Sequence, residues 1–334
     1  MALRWGILGP GGIARAQTRD LLANGFTVTA VGSRRQESAR AFAEEFGIPT
    51  AHGSYEALVA DPDVDVIYVA TPHPFHVSGA LLALDAGKHV LLEKPFTVTA
   101  ADARAVVDRA RERGLVVLEA MWTRFLPHMV RIREIIASGE LGEVVTLLAD
   151  HTQLLPSDPS HRLQDPALGG GALLDLGIYP VSFAHDLFGA PSGIHASATF
   201  TATGVDRQTA IILEFGGDRR AVLQTALDTL GPNRASVIGT LGRIEIESVW
   251  YTPSAFTRYD STGAIVERHE AGQGDTSAEG SRGMQWQAWE MERLVSEGRS
   301  ESEIISPEES VNIMQTLDAI RERIGLVYPM DARD

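Results

Sequence analysis

Through the first third of the chain, short apolar runs alternate with segments whose apolar residues recur every three or four positions. Residues 3–9, 26–32, 64–70, 89–92 and 115–118 read as strands, and residues 13–23, 36–46, about 75–86 and 100–113 as helices. These strands are apolar almost without a break, as strands are when both faces of a parallel sheet are covered. A helix between successive strands supplies each crossover, and right-handed crossovers lead to a doubly wound Rossmann-type α/β domain. Beyond Met121 the rhythm changes. Helices at 128–137 and 171–188 flank a strand at 144–151, and further strands follow at 195–203, 209–215, 221–227, 235–238 and 243–249. Several alternate strictly, as in Ile244-Glu245-Ile246-Glu247, which predicts a large, open, mostly antiparallel sheet in an α+β domain with one apolar and one wetter face. Helices near 284–297 and 307–324 close the chain; the second starts on Pro307-Glu308-Glu309 and stops at Gly325. The expected domains are residues 1–121 and 122–334, with 272–283 the loosest stretch and an expected mobile loop.

Composition narrows the functional classes. A chain of 334 residues suits two domains, and 44% apolar residues suffice for full cores. Net charge is 29 minus 44, or −15, which opposes binding to nucleic acid or to an anionic membrane surface. Cysteine is absent, so disulfides, thiolate metal sites and a Cys nucleophile are excluded, and a cytoplasmic setting fits. The first strand follows Met1 and Ala2 with no apolar signal core before it, and no apolar run approaches the ~20 residues of a membrane helix. Of the 29 basic residues only Lys88 and Lys94 are lysines. Arginine cannot release a proton near neutral pH and lysine can, so each lysine is worth examining.

Gly9-Pro10-Gly11-Gly12-Ile13-Ala14 matches G-x-G-x-x-G/A between a strand and a helix. Gly9 makes the tight turn, Gly11 lets backbone approach a pyrophosphate, and Ala14 permits close helix–strand packing; Gly12 and Ile13 open the helix whose N-terminus faces the anion. Enzymes that take NAD place a carboxylate ~20 residues on, against the ribose 2′-hydroxyl. Here the second strand ends in Ser33-Arg34-Arg35. A hydroxyl and two guanidiniums suit a 2′-phosphate, and two cations at a helix N-terminus oppose the macrodipole unless an anion joins them. NADP is therefore favoured over NAD.

Ligands of open α/β sheets bind beyond the carboxyl ends of the strands. Two loops stand there: Thr71-Pro72-His73-Pro74-Phe75-His76 and Glu93-Lys94-Pro95. Lys94 would project towards the nicotinamide, where partial desolvation lowers an ammonium pKa and fits it for proton transfer or for orienting a substrate hydroxyl. His73 and His76 have H-x-x-H spacing, but the prolines make the stretch irregular and no third ligand is near, so no metal is expected; His76 caps the next helix or lines the pocket. A second group follows Gly169-Gly170-Gly171: Asp175 and Tyr179, spaced i, i+4 on one helical face. Beside a Lys ammonium a tyrosine phenolate is favoured, so Tyr179 suits acid–base work on a hydroxyl while Asp175 orients substrate or Lys94. Spacing alone equally allows a Tyr packed on a helix and an Asp on its polar edge.

Taken together, Gly9–Ala14, Glu93-Lys94-Pro95, residues 169–179 and the tail from Glu308 to Tyr328-Pro329 resemble the glucose–fructose oxidoreductase/inositol dehydrogenase (Gfo/Idh/MocA) family over nearly the whole chain. Within it, residues 119–127 and 174–179 look most like the dimeric dihydrodiol dehydrogenases and the NADP-linked D-xylose dehydrogenases. The resemblance implies that Lys94 is the catalytic lysine, that Asp175 and Tyr179 fall on a D-x-x-x-[H/Y] pair in its Tyr-using branch, and that Trp122 and Arg124 line the cofactor pocket. It implies reversible hydride transfer at a carbinol carbon of a sugar, polyol or cyclic diol, and a homodimer or dimer of dimers formed through the C-terminal sheet. Two further readings on the same scaffold are an NAD(P)-dependent glycosidase, in which oxidation is transient, and a non-catalytic NADP-sensing regulator; the latter would be marked by loss of the Lys or the acid–base residue, and both are present.

Overall fold

A computed structural model describes residues 2–332. The chain divides into two compact units: residues 1–122 with 276–311, and residues 123–275 with 312–334.

The first unit holds strands β1 (Arg4–Leu8), β2 (Thr27–Gly32), β3 (Thr50–His52), β4 (Val66–Val69), β5 (His89–Glu93) and β6 (Val117–Ala120), with helices α1 (Gly12–Ala23), α2 (Gln36–Phe46), α3 (Tyr55–Val59), α4 (His76–Asp85) and α5 (Ala100–Arg113) between them. The sheet is parallel throughout, in the order β3-β2-β1-β4-β5-β6. Ile7, Leu8, Ile67, Tyr68, Leu91 and Leu92 on its inner strands are wholly buried, as their unbroken apolar runs require. The strand order reverses between β1 and β4. Because the strands are parallel, the segments after β1, β2, β4 and β5 all leave the same edge of the sheet beside that reversal.

The short β3 and α3 escape the sequence reading because three and five residues carry too little periodicity. The division of the chain also differs from the linear one. Residues 276–311 return to the first unit, whereas the sequence places them in the second. Buried polar groups of α1 fasten them. The Asp20 carboxylate accepts the backbone N–H groups of Arg282 and Met284, and Gln17 accepts from the Gln287 side chain. Asn24 accepts the Ala278 N–H, so the carboxyl-side half of the stretch expected to be mobile is tied down. No local pattern announces contacts between residues some 260 positions apart.

In the second unit, α6 (Pro127–Ala137) leads into an eight-stranded sheet of β7 (Val144–Thr152), β8 (Gly193–Phe200), β9 (Asp206–Phe215), β10 (Arg219–Ala226), β11 (Ala235–Gly239), β12 (Gly242–Ile246), β13 (Phe256–Asp260) and β14 (Ile265–His269), in the order β14-β13-β12-β11-β7-β10-β9-β8. Only β7 and β10 pair in parallel. The strands β13 and β14 carry half-exposed polar residues and lack the apolar alternation that marks the others. Helix α7 (Ile178–Phe188) covers β7 and β10, and a single π-helical turn, Leu173–Gly177, precedes it where an uninterrupted α-helix was expected. Residues 166–188 are long and apolar enough to cross a membrane by length and composition, contrary to the sequence expectation, but 89% of the apolar window is buried inside the fold. Helices α8 (Gln285–Glu297) and α9 (Pro307–Ile324) complete the chain.

Candidate active site

At the carboxyl edge of the parallel sheet, Gly9 adopts φ +95° and its Cα lies so close to the next loop that a Cβ would stand 3.1 Å from the Ala70 carbonyl. Glycine is thus required on both conformational and steric grounds. Gly11 caps α1, Gly12 and Ile13 sit exposed in its first turn, and Ala14 is wholly buried beneath them. The turn opens on a cleft of 500 Å³ lined by Gly9, Pro10, Gly11, Ser33, Arg34, Arg35, Ser38, Tyr55, Ala70, Thr71 and Pro72. Five separate stretches meet there, and none contributes a carboxylate. The Arg34 guanidinium lies over the Phe75 ring at 5.5 Å. Tyr55 was not singled out from the sequence. It lies at the start of α3, an element that left no readable pattern. Burial raises its phenol pKa, and the adjoining Arg34 pulls it back through charge and a hydrogen bond.

The second feature of this unit is the loop after β5, which buried groups pin from three directions. The Tyr68 hydroxyl donates to the Glu93 carboxylate, which also accepts the Lys94 N–H at 3.1 Å. Glu93 therefore shapes the loop. The Glu119 carboxylate accepts from Phe96 N–H at 3.1 Å and from the Ser310 hydroxyl at 2.6 Å. His76 is buried with its ring nitrogens 2.9 Å from the Pro95 carbonyl and 2.8 Å from that of Thr71, so it lies between the two loops and does not cap α4. Burial, reinforced by the Lys94 charge, lowers its pKa to about 4, so at neutral pH it donates to one carbonyl only. The two lysines separate cleanly: Lys88 donates to the Asp61 and Val64 carbonyls and secures a turn, while Lys94 stands on the pinned loop.

The second unit carries the remaining group. Asp175 lies in the π-helical turn and Tyr179 in the first turn of α7, both largely buried. Asp206, wholly buried on β9, accepts the Leu173 N–H at 2.8 Å and so anchors the turn at its start. Asp175 pairs with Arg162 at 2.9 Å. Tyr179 lies in an aromatic cluster: its ring meets His151 edge-on at 4.8 Å and Tyr251 at 5.5 Å, and His151 stacks on Tyr251 at 3.7 Å. The Gln153 amide reaches His151 Nε2 at 2.9 Å. Burial, with the nearby Tyr179 as a second cause, pushes the Tyr251 phenol up to about 12, so Tyr251 stays protonated across the working range. Arg162, His151, Gln153 and Tyr251 were not singled out from sequence; Tyr251 meets Gln153, His151 and Tyr179 across long stretches of chain, and Arg162 reaches Asp175 from a separate turn.

Trp122, in the first unit, is buried at the start of a short 3-10 turn over residues 122–125. The Arg124 guanidinium, in the second, is buried, donates to the Ser182 carbonyl at 2.7 Å and pairs with Asp186 at 3.3 Å.

Two family models match the chain: an oxidoreductase family with an NAD-binding Rossmann fold over residues 3–121, and the Gfo/Idh/MocA C-terminal domain over residues 129–245. The chain belongs to the Gfo/Idh/MocA oxidoreductases. It is 36% identical to an NADP(+) D-xylose 1-dehydrogenase of Hypocrea jecorina, covering 98% of this chain and 93% of that protein. It is 37% identical to a trans-1,2-dihydrobenzene-1,2-diol dehydrogenase of Mus musculus over the full length of both. Among solved structures it resembles an aldose–aldose oxidoreductase of Caulobacter crescentus complexed with glycerol (TM-score 0.85, 26% identity, 97% of each chain) and a 3-ketoreductase of Actinomadura kijaniata complexed with NADP and TDP-benzene (TM-score 0.83, 28% identity, 97% and 98%). The expected fold class, a Rossmann-type parallel sheet and a large, mostly antiparallel open sheet, is met, and the protein is a dehydrogenase or reductase acting on CH–OH groups.

Proposed function

We propose that this chain is an NADP-dependent oxidoreductase that moves a hydride between the nicotinamide and a carbinol carbon of an aldose, polyol or cyclic diol. The observation that carries the cofactor assignment is the cleft at the end of β2, where Ser33, Arg34 and Arg35 face the Gly9 turn with no carboxylate among the lining residues. A 2′-phosphate suits that donor set, and a bare 2′-hydroxyl would lack its acceptor. Gly9, Gly11, Gly12, Ile13 and Ala14 approach the pyrophosphate, and Thr71 and Pro72 form the opposite wall; His76, Glu93, Lys94, Trp122 and Arg124 are the further cofactor-binding residues of this reading. When bound, the nicotinamide supplies or accepts the hydride. Tyr179 exchanges the proton of the substrate hydroxyl, the ammonium of Lys94 favours its phenolate form, and Asp175 orients the reacting groups. Relatives that act on D-xylose and on a trans-dihydrodiol support this substrate class.

The assay is NADP-linked turnover across aldoses, cyclic polyols and dihydrodiols, with NAD in parallel. Sugar release without net change in nicotinamide absorbance would instead assign a glycosidase. Lys94→Met should retain NADPH binding and lose most turnover; near-intact turnover would remove Lys94 from the mechanism.

We also infer a cytoplasmic homodimer or dimer of dimers. Val222 on β10 lies directly between Leu148 on β7 and Ile212 on β9, and each of the three is more than 40% exposed. This apolar row lies on the sheet face away from α7, and a second copy would cover it. Val222→Glu should convert the assembly to a monomer in light scattering; an unchanged mass would exclude this face.

A further inference from the structure

The second unit contains a fixed guanidinium that the family assignment does not explain. Arg162 lies on a short 3-10 turn, Arg162–Gln164. Leu163 anchors the turn: it is buried against Ala172, Leu176 and Leu227. The Gln164 amide donates to the Pro156 carbonyl at 3.2 Å. The glycine run completes the attachment. Gly171 N–H donates to the Leu163 carbonyl and Gly170 N–H to that of Asp165, both at 3.0 Å. A Cβ on Gly170 would stand 2.6 Å from the Leu163 carbonyl oxygen and 2.9 Å from that of Arg162. No side chain fits between these backbones, so Gly170 exists to seat the turn against the segment that leads into Asp175.

Arg162 thus starts from a rigid backbone, and its side chain is aimed by one contact, Nη2 to Asp175 Oδ1 at 2.9 Å. Its side chain is 45% exposed while that of Asp175 is 11% exposed. A guanidinium has five N–H donors in a planar fork. Among the described residues Asp175 is its only hydrogen-bond partner, so most of the fork is available to an incoming molecule. The carboxylate offsets the positive charge, which makes the pair a poor trap for an anion and a good one for neutral oxygens. Two oxygens on adjacent carbons match the fork in a bidentate contact that a single hydroxyl cannot make.

We propose that Arg162 is a substrate-binding, specificity-determining residue that recognises a neutral vicinal oxygen pair, and that Asp175 acts in part by aiming it. This rests on the carbinol oxidoreductase reading above. The test compares cyclohexane-1,2-diol with cyclohexanol in wild type, Arg162→Met and Arg162→Lys, alongside NADPH titration by fluorescence. In Arg162→Met the KM for the diol should rise by about 10- to 100-fold, the size of a lost charge-assisted contact, with kcat changed far less, a clearly smaller loss for cyclohexanol and NADPH affinity intact. Arg162→Lys should recover part of the loss, and added guanidinium should partly restore Arg162→Gly, which a packing role would not allow. An unchanged diol KM, an equal loss for diol and cyclohexanol, or preference of the wild type for sugar acids would overturn the proposal. If the wild type turns over no carbinol with NADP, the functional reading fails on its own. Calorimetric binding of the diol to wild type and Arg162→Met in NADP then decides the Arg162 assignment, and equal or absent binding rejects it.

Discussion

Asp206 supplies a pH-dependent stability term that the structure sets in both sign and size. Its carboxylate is wholly buried, accepting the Leu173 N–H and the Thr209 hydroxyl, both at 2.8 Å, while Oδ1 lies without a hydrogen-bond partner against the Cα of Gly171. Burial outweighs those hydrogen bonds and pushes the carboxyl up to about 6. An unfolded aspartate titrates near 3.9. Between these values the native state holds the proton more tightly, so stability from this group is fully present below the unfolded value and is lost as pH rises through about 6. The displacement of about two pK units corresponds to about 3 kcal/mol, of which about 2 kcal/mol is recovered between pH 8 and pH 4.5. His76, His128 and His185 act in the opposite sense: burial lowers each to about 4, so their contribution is lost as pH falls from about 6.5 towards 4. The wild-type curve therefore mixes both signs. Subtracting Asp206→Asn isolates the aspartate, because the histidines are common to both proteins. Urea unfolding at intervals from pH 8 to 4.5 should show the wild type gaining about 2 kcal/mol on the variant as pH falls. A pH-independent difference would mean that Asp206 is not held near pKa 6, and the account of how the π-helical turn is anchored would be wrong.

Replacing Arg34 and Arg35 together with Ala should weaken NADPH binding by at least about 30-fold and NADH by less than about 3-fold, as two exposed charge-assisted contacts are lost from one cofactor only. Raised salt should narrow the gap in wild type, and equal effects on both cofactors would remove the 2′-phosphate argument. Gly170→Ala should destabilise the protein by about 1–3 kcal/mol, because the obstructing atoms are backbone, and should raise substrate KM by shifting the Arg162 turn. A wild-type Tm and KM would show that this contact has slack.

Legibility varied with the range of the interaction. The boundaries of several long amphipathic helices were readable: α2 and α5 fall where periodicity puts them, and α9 runs from Pro307 to Ile324 as expected. Short elements were lost, β3 and α3 among them, and with α3 went Tyr55 in the cleft beside the Gly9 turn. The π-helical turn around Asp175 was also invisible, because its apolar pattern is compatible with an ordinary helix and it is anchored by Asp206, 33 residues downstream of Leu173.

By itself the sequence determined the alternation that builds the parallel sheet, the strained Gly9 turn, the cationic end of β2, and the scarcity that drew attention to Lys94. These are local: each depends on residue type at fixed spacing along one strand–turn–helix passage, and the backbone has few other ways to accommodate it. Tertiary structure alone decided that residues 276–311 join the first unit, that His76 lies between two loops, that Tyr179 sits against His151 and Tyr251, and that Asp175 aims Arg162. Those pairings are chosen by which buried polar group finds a partner once the apolar faces have closed, and that choice is made by the packing of the whole unit.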